Sequence, residues 1–222
     1  MHETTWFKDR RSIRAFIGEP LPRDVIAEIL HEASLAPSWA NNQPWEVVVV
    51  SGRPLADLAA ANIRCLRENA TNNPDLPMPS HDWPLPYGKR IRLLGSELFA
   101  AVNIPRDDKE ARAAHYERMY RFFDAPHLIL LLLDERLVLP YPLFDLGAFV
   151  QTLCLAAAGR GIGTCIIAAA ARYPEEARRI LGLDRAKKIV VGVALGWPDP
   201  ESVYNKFRSS REPVDVFTTW VE

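Results

Sequence analysis

Apolar positions recur along this chain at two spacings, which together predict both helices and strands. Between Pro22 and Pro37 the apolar residues lie three or four positions apart, the spacing of one helix face, and the two prolines mark the ends of that helix. Further helices are predicted at 5–9, 55–68, 90–102, 109–123 and 174–181. Short apolar runs predict strands at 45–50, 127–133, 164–167 and 189–197, and the first two are expected to be buried.

One further segment is apolar on almost every side. Residues 143–160 therefore predict a central buried helix, which Gly161 and Gly163 end. Helices outnumber strands and do not alternate strictly with them, so we expect an α+β fold, with a sheet flanked by helices, rather than a doubly wound parallel sheet. Residues 1–222 are expected to form a single domain, with a candidate lid or insertion at about 69–123.

Two segments follow neither spacing. Residues 69–88 contain five prolines together with Trp83 and Tyr87, and a loop of this length in a compact domain is usually a functional cover or a mobile segment. Residues 198–222 are mostly irregular, yet they carry four large aromatic side chains. That much aromatic surface needs to be buried, and a neighbouring subunit is one place for it.

Composition and charge narrow the class of protein. The 222 residues carry 27 basic and 28 acidic side chains and are 48% hydrophobic, which fits a folded domain and argues against disorder. A net charge of −1 gives no reason to expect nucleic acid or an anionic membrane as a partner. Purely apolar runs such as 128–133 are too short to cross a bilayer, and the first residues lack a signal-peptide pattern, so a cytoplasmic protein is expected.

The common sequence patterns of catalysis are missing. Cys65, Cys154 and Cys165 form no Cys-x-x-Cys pair, and the five histidines show no metal-ligand spacing, so neither a disulfide framework nor a metal site is expected. No glycine-rich phosphate loop and no nucleophile motif is found. A protein of this kind can still be an enzyme if a bound cofactor carries the chemistry.

Two basic clusters lie at opposite ends of the chain. The first combines guanidinium groups with a hydroxyl, in Arg10, Arg11, Ser12 and Arg14. Such a set suits an anion, because the arginine fork matches two phosphate oxygens, and alternate residues of an extended segment project to one face. Residues 205–213 repeat this chemistry, so the two clusters could close around one phosphate. The alternative for each cluster is a solvated basic stretch.

A loop rich in amides lies between the first long helix and the first strand. Residues 37–45 read Pro-Ser-Trp-Ala-Asn-Asn-Gln-Pro-Trp. Asn and Gln carry donors and acceptors that suit the edge of a heteroaromatic ring, and the prolines stiffen the loop that presents them. The alternative is an ordinary turn with two packed tryptophans.

Taken together, these motifs resemble the nitroreductase family of flavin enzymes over most of the chain. They occur in the family's order and approximate spacing, as Arg10-x-Ser12-x-Arg14, Ala36-Pro37-Ser38-x-x-Asn41-x-Gln43-Pro44-Trp45, Gly161-x-Gly163-Thr164, Gly196-x-Pro198 and Arg211-x-Pro213. Each motif alone is weak, and the ordered set is specific. Residues 122–127 and 145–147 are also similar to the nitrobenzoate-reductase-like branch.

The resemblance implies the family's α+β fold, with a central, mostly antiparallel sheet flanked by helices and a C-terminal arm that extends to the partner subunit. It also implies a homodimer with two FMN-binding active sites at the subunit interface. It assigns the FMN phosphate, ribityl chain and pyrimidine edge to the first cluster (Arg10, Arg11, Ser12 and Arg14), and completes the phosphate site with Arg208 and Arg211. The partner subunit's contribution would come from Pro37, Ser38, Trp39, Asn41 and Gln43. The backbone along the isoalloxazine ring, which reaches N5, would be that of Ile167, Ala168 and Ala169.

Two positions depart from the family's pattern. Some relatives have a lysine two residues before the final arginine, where this chain has Ser209, and Lys206 or Arg208 could replace that charge. Some relatives carry glutamate where this chain has Ala168. The second change costs little if the position works through its backbone N–H.

The expected chemistry belongs to the flavin, with no catalytic side chain. Arg14 is the candidate for a fixed positive charge near flavin N1 and O2. One open flavin face would take a hydride from NADH or NADPH and then serve a small aromatic acceptor, a nitroaromatic or a quinone, which predicts ping-pong kinetics. The side chains expected to line or cover the acceptor pocket are Trp39, Trp83, Tyr87, Phe122 and Phe123, of which the two phenylalanines have the core as their alternative.

Other functions stay open on sequence alone. The same family also includes reductive dehalogenases, ene-reductases, oxidases and a flavin-fragmenting enzyme. A non-catalytic flavin-binding or anion-binding protein and a basic interaction module are rivals from other classes. The colour of the protein and its bleaching by NADH or NADPH would separate these rivals from a flavoenzyme.

Overall fold

The computed structural model describes residues 5–79 and 82–222 and the side chains from residue 7 onwards, apart from 80–81. His2, His81 and part of the predicted 69–88 loop therefore lie outside the described residues. One sheet contains β1 (Glu46–Ser51), β2 (His127–Asp134), β3 (Gly163–Ile167) and β4 (Lys187–Gly196). Their order is β1-β2-β4-β3, and every neighbouring pair is antiparallel.

The helices surround this sheet, which confirms the predicted α+β class. They are α1 (Thr5–Asp9), α2 (Arg23–Ala33), α3 (Gly52–Arg67), α4 (Tyr87–Ala101), α5 (Lys109–Tyr120), α6 (Tyr141–Ala158), α7 (Pro174–Leu181) and α8 (Val203–Lys206). The predicted 109–123 helix ends early, at Tyr120. Phe122, Phe123 and Asp124 instead take left-handed backbone angles, with φ of 57°, 57° and 59°.

The central strand β2 has a hydrophobic core on each of its faces. Leu128 and Leu130 pack into the core cluster under α3 and α7, whereas Ile129 and Leu131 pack into the cluster under α2 and α6. This division follows from the strand period of two, which points successive side chains to opposite faces. The prediction of a buried strand at 127–133 is therefore confirmed.

The strand at the other end of this pairing is less buried than predicted. β1 pairs only with β2 and forms an edge of the sheet. Three of its six residues are half-buried and two are exposed, Val49 to 42%. A continuous run of valines does not reveal whether a strand is central or at an edge, which is why the prediction of a buried strand at 45–50 is wrong.

Helix α6 is buried on one face only, so the prediction of a helix buried all round is wrong for a single chain. Leu146, Phe149 and Leu153 pack on the sheet, whereas Tyr141 and Phe144 are exposed, Phe144 to 77%. Within residues 5–79 and 82–222, α6 alone has the length and apolar composition of a membrane-crossing segment, a property that it shares with core helices of soluble proteins.

The two irregular segments differ in how firmly they are attached. The first part of the long loop is held at Asp75, whose carboxylate accepts hydrogen bonds from the Arg178 guanidinium at 2.8 Å and the Ile189 N–H at 2.7 Å. The tail packs on the rest of the chain as far as α8 and is mostly exposed beyond it, where the Arg90–Glu212 ion pair at 2.7 Å is a further attachment. Phe217 and Trp220 are not covered by the described part of the chain, since each is more than 70% exposed.

Candidate active site

One cavity brings together the two basic clusters from opposite ends of the chain. Its volume is about 850 Å³, which lies within the usual size range of small-molecule sites. All six side chains that the two clusters were predicted to offer to FMN line it, namely Arg10, Arg11, Ser12, Arg14, Arg208 and Arg211. We call this space the arginine cavity.

The first cluster is held in an extended conformation beside β3. Ser12 forms a parallel bridge with Thr164, and the Ile13 N–H donates to the Thr164 carbonyl at 2.8 Å. Ile13 and Ala15 are buried, whereas Ser12 and Arg14 are partly exposed on the cavity side. This alternation is the period of two that an extended segment imposes, and it turns the polar side chains towards the cavity.

Gly163 allows this close approach. A Cβ atom at this position would lie 2.8 Å from Cγ1 of Ile13, closer than real Cβ contacts come. A larger residue would therefore push the arginine segment away from β3. The second glycine of the Gly161-x-Gly163 motif is thus required by packing, because Ile13, which it accommodates, lies between Ser12 and Arg14 of the first cluster.

The tail contributes the second cluster through Asn205. The carbonyl oxygen of Asn205 accepts from Arg11 Nε at 3.2 Å and from Arg208 Nη1 at 2.9 Å, so two guanidinium groups meet on one acceptor. Burial and the positive charge of Arg208 lower the pKa of Arg11. Two arginines held this close favour an anion between them.

The cavity carries a large excess of positive charge. Arg90 and Glu212 neutralise each other through a 2.7 Å contact, and Glu97 is the remaining acidic side chain of the lining. Against it stand six basic side chains: Lys8, Arg10, Arg11, Arg14, Arg208 and Arg211. A neutral ligand alone would leave this charge uncompensated, whereas a phosphate ester would balance part of it.

Several cavity residues were missed by the sequence analysis. Helix α4 contributes Leu93 and Leu94 to one wall, and Gln151 reaches the cavity from α6. Gln151 carried a detectable signal, since it is a polar residue in an almost wholly apolar helix. The α4 residues carried none, because their place depends on how that helix packs. The alternatives for the second phosphate contact also divide here: Arg208 and Ser209 line the cavity and Lys206 does not.

The amide loop lies outside the arginine cavity of its own chain. Ala40, Asn41 and Gln43 have left-handed φ values of 50°, 57° and 47°, and Trp39, Asn41 and Gln43 are exposed. Specific hydrogen bonds nevertheless shape the loop. The Trp39 N–H donates to both carboxylate oxygens of Asp145, at 3.2 and 3.1 Å, and the Gln43 N–H donates to Ser38 Oγ at 3.0 Å.

The amide loop continues into an exposed aromatic surface. The Trp39 ring stacks on the Tyr141 ring with centroids 6.3 Å apart, and Phe144 follows on the same helix. We call Trp39, Tyr141 and Phe144 the aromatic face. Exposed apolar groups that lie side by side indicate a surface that another molecule covers.

The remaining predicted site residues fall into three different environments. At the end of β3, Ile167 and Ala169 are buried and Ala168 is exposed, and none of the three lines the arginine cavity. Trp83 and Tyr87 are exposed near the start of α4, where the Arg90 guanidinium lies 5.6 Å from the centre of the Tyr87 ring.

Phe122 and Phe123 do not belong to a pocket wall. They are 0% and 3% exposed and pack in the core cluster with Tyr120 and Leu128. Their expected place beside the acceptor is therefore corrected to the hydrophobic core, where the left-handed turn at 122–124 directs both rings inward.

Comparison with known proteins shows the same family resemblance that the sequence motifs indicate. The model of the Nitroreductase family matches residues 7–197. A nitrobenzene nitroreductase from Ectopseudomonas oleovorans is 33% identical over 218 residues, which cover 96% of this chain and 94% of that protein. A 4-nitrobenzoate reductase from Pseudomonas putida is 34% identical over 94% of this chain and 91% of its own. The crystal structure of the FMN-dependent nitroreductase NfnB from Mycobacterium smegmatis in complex with NADPH matches with a TM-score of 0.93 at 29% identity, covering 98% of this chain and 97% of that one.

Proposed function

The chain belongs to the nitroreductase family, and from this premise we propose that it is an FMN-dependent oxidoreductase that transfers electrons from NADH or NADPH to nitroaromatic acceptors. The observation that carries the proposal is the arginine cavity, in which two clusters almost two hundred residues apart meet. A nitroaromatic acceptor is supported by the names of the relatives, and a quinone is the alternative that we keep from the sequence.

The donors present in the arginine cavity fit FMN. The guanidinium groups of Arg10, Arg11, Arg208 and Arg211 can bind a phosphate, and Ser12 offers a hydroxyl to the ribityl chain. Leu93 and Leu94 add an apolar wall, which suits the aromatic part of a flavin better than a free phosphate ion. The cavity is therefore both basic and partly apolar, as a mononucleotide requires.

Bound FMN would supply the hydride chemistry, and the residues of this chain would bind and orient it. Arg14 holds a permanent positive charge at a fixed backbone position, where it would stabilise negative charge on the pyrimidine edge of the ring. The backbone at 167–169 would lie along the ring near N5. This division of roles needs no titrating catalytic side chain.

We also propose that the active site is completed by a second copy of the chain. The amide loop, with Pro37, Ser38, Trp39, Asn41 and Gln43, lies outside its own arginine cavity, as expected of a loop that serves the partner's flavin. The exposed aromatic face and the exposed tail aromatics supply apolar surface for such a homodimer. A cytoplasmic location stays a prediction from the sequence.

Residues 69–123 are proposed as the cover of the same single-domain site, because α4 supplies one wall of the cavity. Trp39, Trp83 and Tyr87 are exposed where they could contact a planar acceptor. Replacing Trp83 and Tyr87 with alanine should raise the KM for the acceptor and leave flavin content unchanged. An unchanged KM would remove both side chains from the acceptor site.

The proposed function is tested by the absorption spectrum of the purified protein. A yellow protein with a flavin spectrum is expected, and anaerobic NADH or NADPH should bleach it. A nitroaromatic should then restore the colour in a separate step, with parallel lines in double-reciprocal kinetics, as a ping-pong sequence requires. A colourless protein that does not take up FMN would contradict the proposal.

A further inference from the structure

We propose that Asn205 is a positioning residue of the flavin site, which holds the N-terminal and C-terminal arginines in one arrangement and thereby makes the cavity selective for a phosphorylated flavin. This inference rests on the proposed function, because it concerns how the same cavity recognises FMN. Asn205 lies in the short helix α8 and is 4% exposed, so it acts from behind the cavity wall.

The side chain of Asn205 fixes the backbone of the first arginine cluster. Its Oδ1 accepts from the Arg14 N–H at 2.8 Å, and its Nδ2 donates to the carbonyls of Ala15 at 2.8 Å and Asp199 at 2.9 Å. One acceptor and two donors are thus used at once, which is a match that only an amide provides. The Arg14 carbonyl in turn accepts from Arg118 Nη2 at 2.9 Å. Both polar backbone groups of Arg14 are therefore held.

The backbone of Asn205 gathers the other two guanidinium groups. Its carbonyl oxygen accepts from Arg11 Nε and Arg208 Nη1, at 3.2 and 2.9 Å. Without a common acceptor these two cations would repel each other and move apart. Asn205 therefore fixes both the position of the Arg14 backbone N–H and the position at which the Arg11 and Arg208 guanidinium groups approach each other. Its own side chain is not part of the cavity lining.

The neighbouring residue keeps α8 in place. The Tyr204 ring stacks on the His115 ring with centroids 5.7 Å apart, and the Arg118 guanidinium lies 4.5 Å from the centre of the Tyr204 ring. Since His115 and Arg118 both belong to α5, the tail is attached to α5 at one residue and to the first cluster at the next. Asn205 is thus restrained from two sides, by the packing of Tyr204 on α5 and by its own hydrogen bonds to the first cluster.

The test compares FMN with riboflavin, because riboflavin has the same ring and ribityl chain and lacks the phosphate. Apoprotein is titrated with each flavin, and quenching of flavin fluorescence gives the two dissociation constants. For Asn205→Ala we expect FMN to bind at least 10-fold more weakly, because its phosphate contacts move together with the Arg14 and Ser12 contacts. Riboflavin has only the latter contacts, so it should weaken by only about 3-fold, and the ratio of FMN to riboflavin affinity should fall. Asn205→Asp keeps the acceptor for the Arg14 N–H, loses both donors and adds a negative charge, so it should weaken FMN at least as much.

A matched control is Asn62→Ala, since Asn62 is another buried asparagine, 1% exposed, in helix α3. Because its Nδ2 has no hydrogen-bond partner within residues 5–79 and 82–222, the substitution removes no contact to an arginine of the cavity and should leave the ratio of FMN to riboflavin affinity unchanged. If the Asn205 variants weaken both flavins in parallel, or if both are unfolded, Asn205 is only a residue of the fold and the inference is overturned. If wild-type protein binds neither flavin, the proposed function itself has failed.

Discussion

The arginine cavity and the aromatic face differ in how much of a binding site each forms within one chain. The cavity has walls from both ends of the sequence, and its backbone is held by the Ile13–Thr164 and Arg14–Asn205 hydrogen bonds. The amide loop beside the aromatic face is just as specifically shaped, by Asp145, yet none of its residues lines the arginine cavity of its own chain. In the proposed homodimer, this loop would serve the partner's cavity.

The two halves of the proposed site should therefore fail in different ways. Damage to the arginine cavity should remove the phosphate contacts directly. Damage to the aromatic face should act through assembly, and should affect flavin binding only because the second chain is lost. Variants in each region distinguish these two causes.

The largest effect is expected from removing one arginine of each cluster together. In Arg10→Ala/Arg211→Ala, each lost charge-assisted contact should cost about 1.5–3 kcal/mol, or roughly 10–150-fold. The two losses together should weaken FMN binding by roughly 10²–10⁴-fold if they add. The dissociation constant is measured by fluorescence titration of apoprotein. Arg53→Ala is the control, because Arg53 is exposed and pairs with Asp57 on α3. Full flavin content in the double variant would contradict the assignment of the phosphate site.

The next effect is expected at the aromatic face. Phe144→Asp places a charge where the proposed homodimer buries a ring, and twofold symmetry repeats the damage in the other copy. Burial of one such side chain is worth about 1.5–3 kcal/mol, so dimerisation should weaken by roughly 100-fold or more. Light scattering should report a monomer, and flavin absorbance should show a reduced FMN content. Phe144→Leu keeps an apolar side chain and should stay dimeric, and a dimeric Phe144→Asp would place the interface elsewhere.

A smaller effect is expected at the anchor of the amide loop. Asp145→Asn replaces the carboxylate that accepts the Trp39 N–H with a neutral amide, which should cost about 1 kcal/mol. Urea unfolding measures this cost, and FMN affinity should fall by less than in the arginine variants. Asp57→Asn, at an exposed pair on α3, should change stability by less than about 0.5 kcal/mol. Equal changes in the two variants would mean that Asp145 has no special role in the loop.

The chemistry of the cavity could be predicted from the sequence far better than its walls. Clustered arginines and serines are visible as residue types, and the extended alternation around Ile13 follows from a simple period. The contributions of Leu93 and Glu97 depend on the packing of α4, which no local pattern encodes. The burial of Phe122 and Phe123 depends on a left-handed turn, which phenylalanine rarely adopts and which the sequence therefore does not predict.

The errors at β1 and α6 have a common physical origin. An apolar run indicates that a surface will be covered, but not by which molecule. Val49 lies on an edge strand and Phe144 on the outer face of a helix, and both look buried in the sequence. The prediction of a helix buried all round is wrong for one chain, and the surplus apolar surface that it detected is the surface proposed for the second copy.

The effect that is smallest at neutral pH concerns His115, which supports the tail behind the arginine cavity. Burial, with Arg14, Arg118 and Arg112 nearby, lowers the pKa of His115 from 6.5 to about 4, so His115 is neutral in the folded protein at neutral pH. Between these two values the unfolded chain binds a proton that the folded chain excludes. The free energy of unfolding therefore decreases as the pH falls from about 6.5 towards 4, and this contribution levels off below 4.

His115→Phe should remove that part of the pH dependence while it keeps a ring against Tyr204 and Phe99. Melting temperatures of apoprotein between pH 7 and pH 4 provide the measurement, and the variant should lose less stability over this range than the wild type. His31→Gln, at an exposed histidine of α2, should follow the wild-type curve. If His115→Phe also follows that curve, the acid sensitivity arises at another group, of which His127 is the first candidate because burial lowers its pKa as well.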